Sequence, residues 1–338
     1  MAMTIYDISK KAGVSIATVS RVLNGSENVR PSTRKKVMDV IDKYDYTPNA
    51  FARGMGLHSL KTIGILCADS SDLFLAKAVY FLEQELQANG YESLLCCTGY
   101  NPDIKKNYLN LILSKKVDSI ILVGSHFIGS NEDENQYIKD VSTQVPIMLL
   151  NASFDHPNVY STLCDDYGTM FEAATEMIQS GITDILYLYD SKSYSGLKKL
   201  HGFCDAMKEY NIPGFEKLIH FYDGNIEHLN EVADFVARIA TKGTSFHGIM
   251  TSDDSLAIGS IKYAQKKGIR IPKELSVMGY NNSMLTNCCT PELTSVDNRL
   301  ETLTHQLVQT LLGVLAGEEM PKKSIFSGKI IKRGTTLF

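Results

Sequence analysis

Apolar residues recur at helical spacing in short runs at the amino end of the chain. After residue 61 they gather into short strand-like blocks. In TIYDISKKAGVSIATVSRVLN (residues 4–24), Ile5, Ile8 and Ala12 fall on one helical face. Thr4, followed three residues later by Asp7, predicts a capping box, and Gly13 a left-handed turn. Ser15 is placed to cap a second helix over about 16–24, with Val19, Val22 and Leu23 as its apolar face. A third helix starts at Pro31, with Val37, Val40, Ile41 and Tyr44 as its stripe and Arg30 where a capping Ser is normal. From Lys61 onward, strand-like runs lie at 62–67, 92–97, 119–123, 146–150, 184–188, 217–221, 247–251 and 275–280. They alternate with helical stretches near 73–88, 103–115, 166–179, 196–210, 226–241, 254–267 and 299–316. Such alternation predicts α/β architecture, doubly wound parallel sheets with helices on both faces, behind an all-α headpiece.

The first two helices and their tight turn read as a helix-turn-helix, whose second helix can enter the DNA major groove. The face of that helix opposite its core carries Ile16, Ala17, Thr18, Ser20 and Arg21. Ile16 and Ala17, at the helix start, suit a thymine methyl. Arg21, a turn further on, can grip guanine with two hydrogen bonds, worth ~1–3 kcal/mol of discrimination. Thr18, Ser20 and Asn24 suit phosphate oxygens, as do Ser32, Thr33 and Arg34 at the start of the third helix. Thr4, Ser15 and Asn28 complete the expected DNA-contacting set.

Charge sharpens this picture. The chain of 338 residues carries a formal net charge of −4, which is unexpected for a DNA binder. Residues 1–60 hold nine Lys and Arg against five Asp and Glu, a surplus of four, so the remainder carries −8. The positive charge is concentrated where phosphates would be met, and the acidic body disfavours misdocking. A content of 44% hydrophobic and 21% charged residues is ordinary for a globular protein, and the length suits a small domain plus a large one. No export signal and no apolar run of the ~20 residues needed to span a bilayer is visible, so a cytoplasmic protein without membrane contact is expected. The seven cysteines form no Cys-x-x-Cys pair and read as buried, reduced thiols; Cys288 and Cys289 lie in a polar stretch open to exposure. No metal site and no cofactor are expected. Glycine-rich dinucleotide and phosphate loops and the Gly-x-Ser-x-Gly elbow are missing, which argues against an enzyme.

TIYDISKKAGVSIATVSRVLNG, NVRPSTRKKV and YTPNAFARGM closely resemble the headpiece of the lactose-repressor (LacI/GalR) family of bacterial transcription regulators. TIGILC (62–67), VDSIILVG (117–124), SDDSLAIG (252–259), GIRIPKELSVMGY (268–280) and TPELTSV (290–296) resemble that family's effector domain in order and spacing. The resemblance implies a helix-turn-helix domain at 1–47, a hinge helix and linker at 48–60, and a two-lobed, periplasmic-binding-protein-like domain at 61–338. Lobe one would hold about 61–161 and 295–323, and lobe two about 165–291 and 324–338. Three segments would cross between them near 161–165, 292–297 and 321–326. It also implies base reading by Ile16, Ala17 and Arg21, and a hinge placed in the central minor groove. There Met55 stands where leucine is usual as the wedge, with Asn49, Ala50 and Arg53 facing the backbone or groove edge. The expected assembly is a homodimer on a palindromic operator, since the tail SIFSGKIIKRGTTLF lacks the leucine-heptad segment some relatives use for tetramers.

Ligands of open α/β sheets bind beyond the carboxyl ends of the strands, here between the lobes. That selects Ser71, Asp72 and Phe74 after the first strand, Ser125 after the third, and Ser193 and Ser195 after the fifth. Lys199 stands where the family normally has an effector-gripping Arg, and Asn281 where it usually has Asp. Asp254 opens the helix of TSDDSLAIG, where it suits either a capping role or a ligand contact. His126 and His201 read as surface histidines. Asp, Asn and Ser acceptors beside an aromatic wall suit a sugar, with induction as the expected response. A co-repressor such as a nucleobase is the alternative. A transporter's solute-binding protein would share the second domain but not the headpiece.

Overall fold

The computed structural model describes residues 3–23, 26, 28–46, 59–129, 131–241, 243 and 245–338. The expected hinge contacts Asn49, Ala50, Arg53 and Met55, and Asn24 of the headpiece, lie outside these residues.

The headpiece is three helices, α1 (Ile5–Ala12), α2 (Ile16–Leu23) and α3 (Pro31–Lys43). Its local signals act as their chemistry dictates. The Thr4 N–H donates to Asp7 Oδ2 at 3.0 Å and the Asp7 N–H returns to Thr4 Oγ1 at 3.4 Å, closing the capping box. Gly13 adopts φ 65° and donates to the Ser9 carbonyl. Ser15 Oγ accepts the Thr18 N–H at 3.1 Å. Arg30 supplies no side-chain cap to α3. Ile8, Val19, Val22, Val37 and Ile41 form the core, and Val14, Leu23, Val40 and Tyr46 pack around it. Tyr44, expected in the α3 stripe, is instead 40% exposed, past the last helical turn. Lys11 holds it from outside, donating to its hydroxyl at 3.3 Å with the ammonium 4.4 Å from the ring centre. Tyr46, beyond a left-handed Asp45 (φ 47°), takes the inward place.

Two six-stranded sheets follow. The first is built from β1 (Thr62–Cys67), β2 (Glu92–Cys97), β3 (Ser119–Val123), β4 (Ile147–Leu150), β5 (Val159–Cys164) and β11 (Lys323–Phe326), ordered β11-β5-β4-β3-β1-β2 and wholly parallel. The second holds β6 (Ile185–Tyr189), β7 (Ile219–Phe221), β8 (Gly248–Thr251), β9 (Ser276–Tyr280), β10 (Thr294–Asp297) and β12 (Lys329–Ile331), ordered β12-β10-β9-β8-β6-β7. Here β12 pairs antiparallel to β10, an exception to the expected all-parallel sheets.

Burial on both faces explains the continuous apolar strands TIGILC, SIILV and IMLL. On one face of the first sheet, α4 (Leu73–Ala88) and α11 (Leu300–Leu315) contribute Leu75, Leu82, Leu86, Leu303, Leu307 and Leu311 to the core. On the other lie α5 (Pro102–Ser114) and the short α6 (Gln136–Ser142), a helix the apolar periodicity did not announce. In the second sheet α7 (Asp166–Gln179) and α8 (Tyr194–Glu209) cover one face, and α9 (Leu229–Thr241) and α10 (Asp254–Lys267) the other.

The chain passes between the lobes after β5, after β10 and after β11. Residues 295–297, expected in lobe one, pair with β9 and β12 in the second sheet. Residues 324–326, expected in lobe two, pair with β5 in the first. Each crossing leaves a strand whose backbone groups stay hydrogen-bonded to one sheet until the strand ends. Each passage therefore falls just after a strand and not within it. The cysteines also depart from expectation. All seven are free, but only Cys67 and Cys164 are buried, while Cys97 and Cys288 are exposed. Cys97 lies on β2, an edge strand whose Leu94 and Leu95 are also exposed.

Candidate functional site

Two surfaces carry the candidate chemistry. On the headpiece, Val19 and Val22 point into the core, which turns the opposite face of α2 outward. Ile16 is 40% exposed, and Ala17 and Arg21 are exposed beside it. The Ser15 and Thr18 hydroxyls meet at 2.8 Å within the cap of α2, and the Thr4 hydroxyl donates to Asp7 at 2.6 Å. Ser20 and Thr33 are half-buried and Asn28 is exposed. Arg34, expected on phosphate, donates from Nη2 to the Ser26 carbonyl at 2.6 Å and so ties α3 to the segment after α2.

The second surface is the cleft between the sheets. Asp72, Phe74, Ser125, Ser193, Ser195, Lys199 and Asn281 all line one cavity of about 90 Å³. Strand ends and helix starts explain this convergence. Asp72 caps α4, accepting the Leu75 N–H at 2.8 Å, and burial pushes its carboxyl upward. Ser193 caps α8. Its hydroxyl accepts from Ser125 of the other lobe at 2.8 Å, a direct bond across the cleft, and from Ser191 at 2.9 Å.

Behind these serines lies a buried polar network. Asp166, at the start of α7 just past the first crossing, accepts from Ser195 Oγ at 2.5 Å and from the Tyr280 hydroxyl at 2.6 Å. Burial raises its pKa, and the Lys199 charge opposes that rise. Lys199 donates to the Ser252 carbonyl at 3.1 Å and lies 3.9 Å from the Tyr280 ring centre. Asn281, at φ 95°, donates to Asp253 Oδ2 at 2.8 Å and accepts from Asn298 at 3.0 Å, so both ends of its amide are engaged.

Two expected effector contacts are not in the cavity. Ser71 is exposed and donates to Asp69 at 2.8 Å. Asp254 is 1% exposed and structural. It accepts from Ser295 Oγ and the Ser283 N–H, both at 2.6 Å, and lies so close to β9 that a Cβ at Gly279 would clash with it. Its neighbour Asp253 both caps α10, accepting the Ser255 N–H at 2.7 Å, and faces the cleft. Burial, with Asp190 and Asp254 close by, pushes the Asp253 carboxyl up to about 7.

His126, read as a surface histidine, also faces the cleft. It packs edge-on against Tyr100 with ring centres 4.8 Å apart, and burial lowers its pKa. His201 lines a separate cavity. Further lining residues went unread, among them Tyr100, Asn151, Asp190 and Asp253. Asn151 and Asp190 directly follow β4 and β6, where the strand-end rule itself points.

Comparison with known proteins bears on both surfaces. The profile of bacterial regulatory proteins of the lacI family matches residues 4–49, and that of the periplasmic binding protein-like domain matches 174–336. An HTH-type transcriptional regulator of Lachnoclostridium phytofermentans is 50% identical over 99% of this chain and 100% of its own length. The chain belongs to the LacI family. Catabolite control protein A of Priestia megaterium is 33% identical, covering 88% of this chain and 87% of that protein. The lac repressor dimer bound to operator and anti-inducer superimposes with a TM-score of 0.88 over 100% of both chains at 21% identity, which shows the shared fold. As a LacI-family member this is a DNA-binding transcriptional regulator with an effector-binding, periplasmic-binding-protein-like domain. Among the described residues, no helix is long and apolar enough to cross a membrane.

Proposed function

We propose that this regulator is a homodimeric, cytoplasmic repressor without catalytic activity. One α2 enters the major groove of each half of a palindromic operator, and a small sugar in the interlobe cleft induces release. Ile16, Ala17 and Arg21 read bases, Thr18, Ser20, Asn28 and Thr33 meet the backbone, and the Met55 segment enters the minor groove. The 1–47, 48–60 and 61–338 division is kept, with the lobe limits moved to the ends of β5, β10 and β11.

The observation that carries the reading is the Ser125–Ser193 bond across a cleft lined by strand-end polar groups. A ligand seated there touches both lobes and so has different contacts in open and closed forms, which is what coupling to a distant site requires. Selection from a random duplex pool, followed by an electrophoretic shift, tests the DNA half. The expected result is a palindromic consensus bound with steep salt dependence. Equal binding to all duplexes would overturn it. Sedimentation is expected to give a dimer at micromolar concentration, and a monomer there would contradict the assembly.

A further inference from the structure

We propose that Cys67 and Cys97 form a reversible oxidation site, closed to a disulfide by a hydroperoxide, where β1 and β2 run out into the interlobe cleft. This goes beyond effector control and adds a second chemical input to the regulator.

Strand register brings the two thiols together. Cys67 ends β1, Cys97 ends β2, and parallel pairing sets them directly opposite each other. Their sulfurs lie 3.8 Å apart. Neighbouring strands are about 4.7–4.9 Å apart, inside the ~4.4–6.8 Å Cα separation that disulfides span. Forming the S–S bond of ~2.05 Å therefore asks for side-chain rotation, not for movement of the sheet. Cys97 is exposed on an edge strand, with room to turn. Cys67 is fully buried, packed with Leu75 and Ala78 of α4. Cys96 points to the opposite face of the sheet, where it packs against the cluster of Leu66, Leu109 and Leu122.

Exposure divides the chemistry between the sulfurs. Burial pushes the Cys67 thiol up to about 12, with Cys97, Asp69 and Asp72 adding to the rise, so it stays protonated. Cys97 is the sulfur that a hydroperoxide from solvent meets. Its thiolate attacks the O–O bond, keeps one oxygen as sulfenic acid, and releases the other as hydroxide or alkoxide. The Cys67 sulfur then attacks the Cys97 sulfur. The S–S bond forms, the S–O bond breaks, and the Cys67 proton leaves with that oxygen as water. Together the two thiols give two electrons to the peroxide, and a small thiol reverses the bond by exchange.

The site adjoins the cleft through the backbone. Pairing runs on past both cysteines, with the Thr98 N–H donating to the Cys67 carbonyl and the Gly99 N–H to the Ala68 carbonyl, each at 2.9 Å. Asp69 and Asp72 follow Cys67 closely, and Tyr100 follows Cys97. Asp72 and Tyr100 line the cleft cavity, and all three line the larger cavity of about 630 Å³ beside it. A Cys67–Cys97 bond ties together the two backbones that present these groups, so the oxidised and reduced forms hold the cleft differently.

Treating the full chain with a few equivalents of hydrogen peroxide, followed by non-reducing peptide mapping, tests the site. The expected product is a single chain carrying a Cys67–Cys97 bond that dithiothreitol undoes. In Cys67→Ser the Cys97 sulfenic acid has no resolving thiol, so dimedone should label Cys97 about ten-fold more than in the wild type. Should that buried variant misfold, exposed Cys97→Ser keeps the test, since it should leave Cys67 unmodified at the same dose. Operator affinity, measured on the duplex that selection yields, should differ at least about five-fold between oxidised and reduced wild type and not at all in Cys97→Ser. Absence of the Cys67–Cys97 bond would overturn the site, whether Cys97 is found unreacted, joined to a second chain or oxidised further without a link. Equal operator affinity of a chain shown to be cross-linked would overturn the regulatory input. Failure of the reduced chain to select any duplex would instead overturn the regulator reading and leave the bond standing.

Discussion

At the residue scale, a few side chains carry the functional argument. Arg21 is exposed on the outer face of α2, while Val19 and Val22 anchor the helix beneath it. Replacing it by Ala should remove one bidentate base contact, about 1–3 kcal/mol. Operator affinity should fall about 5- to 150-fold without a change in melting temperature, read by fluorescence anisotropy and a thermal melt. In the cleft, Asp253 combines capping of α10 with a carboxyl raised from 3.8 to about 7. The folded protein holds this proton more tightly than the unfolded chain, so the group's contribution to stability falls as pH rises from about 4 to 7 and is flat above. Asp253→Asn, which cannot titrate, should flatten that segment of the stability-pH curve in denaturant titrations. An unchanged slope would remove Asp253 as its source.

At the element scale, local rules and tertiary pairing divide the fold between them. Capping and turn chemistry act within four residues, so Thr4, Asp7, Gly13 and Ser15 were legible without any neighbour. Gly13→Ala isolates one of these signals. A Cβ there meets nothing within 4 Å, so the cost is the left-handed backbone itself, about 1–2 kcal/mol. Hydrogen exchange at the α1 and α2 amides should quicken about 5- to 30-fold, since one or two kcal/mol is that factor in a folding equilibrium. What stayed illegible depends on partners distant in sequence. Which sheet takes Thr294–Asp297 is decided by its pairing with Ser276–Tyr280 and Lys329–Ile331, and no apolar pattern encodes that choice. Asp253 and Asp254 differ for the same reason. Adjacent at a helix start, they are separated only by Ser295 and Ser283 claiming the second of them. Tyr44 and Tyr46 changed places because the helix ends before the stripe does.

At the scale of the whole molecule, three crossings join two lobes, and the Asp166–Ser195–Tyr280 network lies directly after the first of them. A ligand that reorganises Ser193 and Ser195 therefore acts beside the passage about which the lobes would move. Coupling of this kind is commonly worth 1–3 kcal/mol, or about 5- to 150-fold in affinity. The most direct test is operator affinity of the full chain, with and without a saturating sugar that calorimetry shows to bind. It should be made on the wild type and on Asp190→Ala. Operator binding should be at least five-fold weaker with the sugar in the wild type, and unchanged in the variant, whose DNA affinity without sugar is unaltered. Operator affinity indifferent to a sugar that demonstrably fills the wild-type cleft would contradict it.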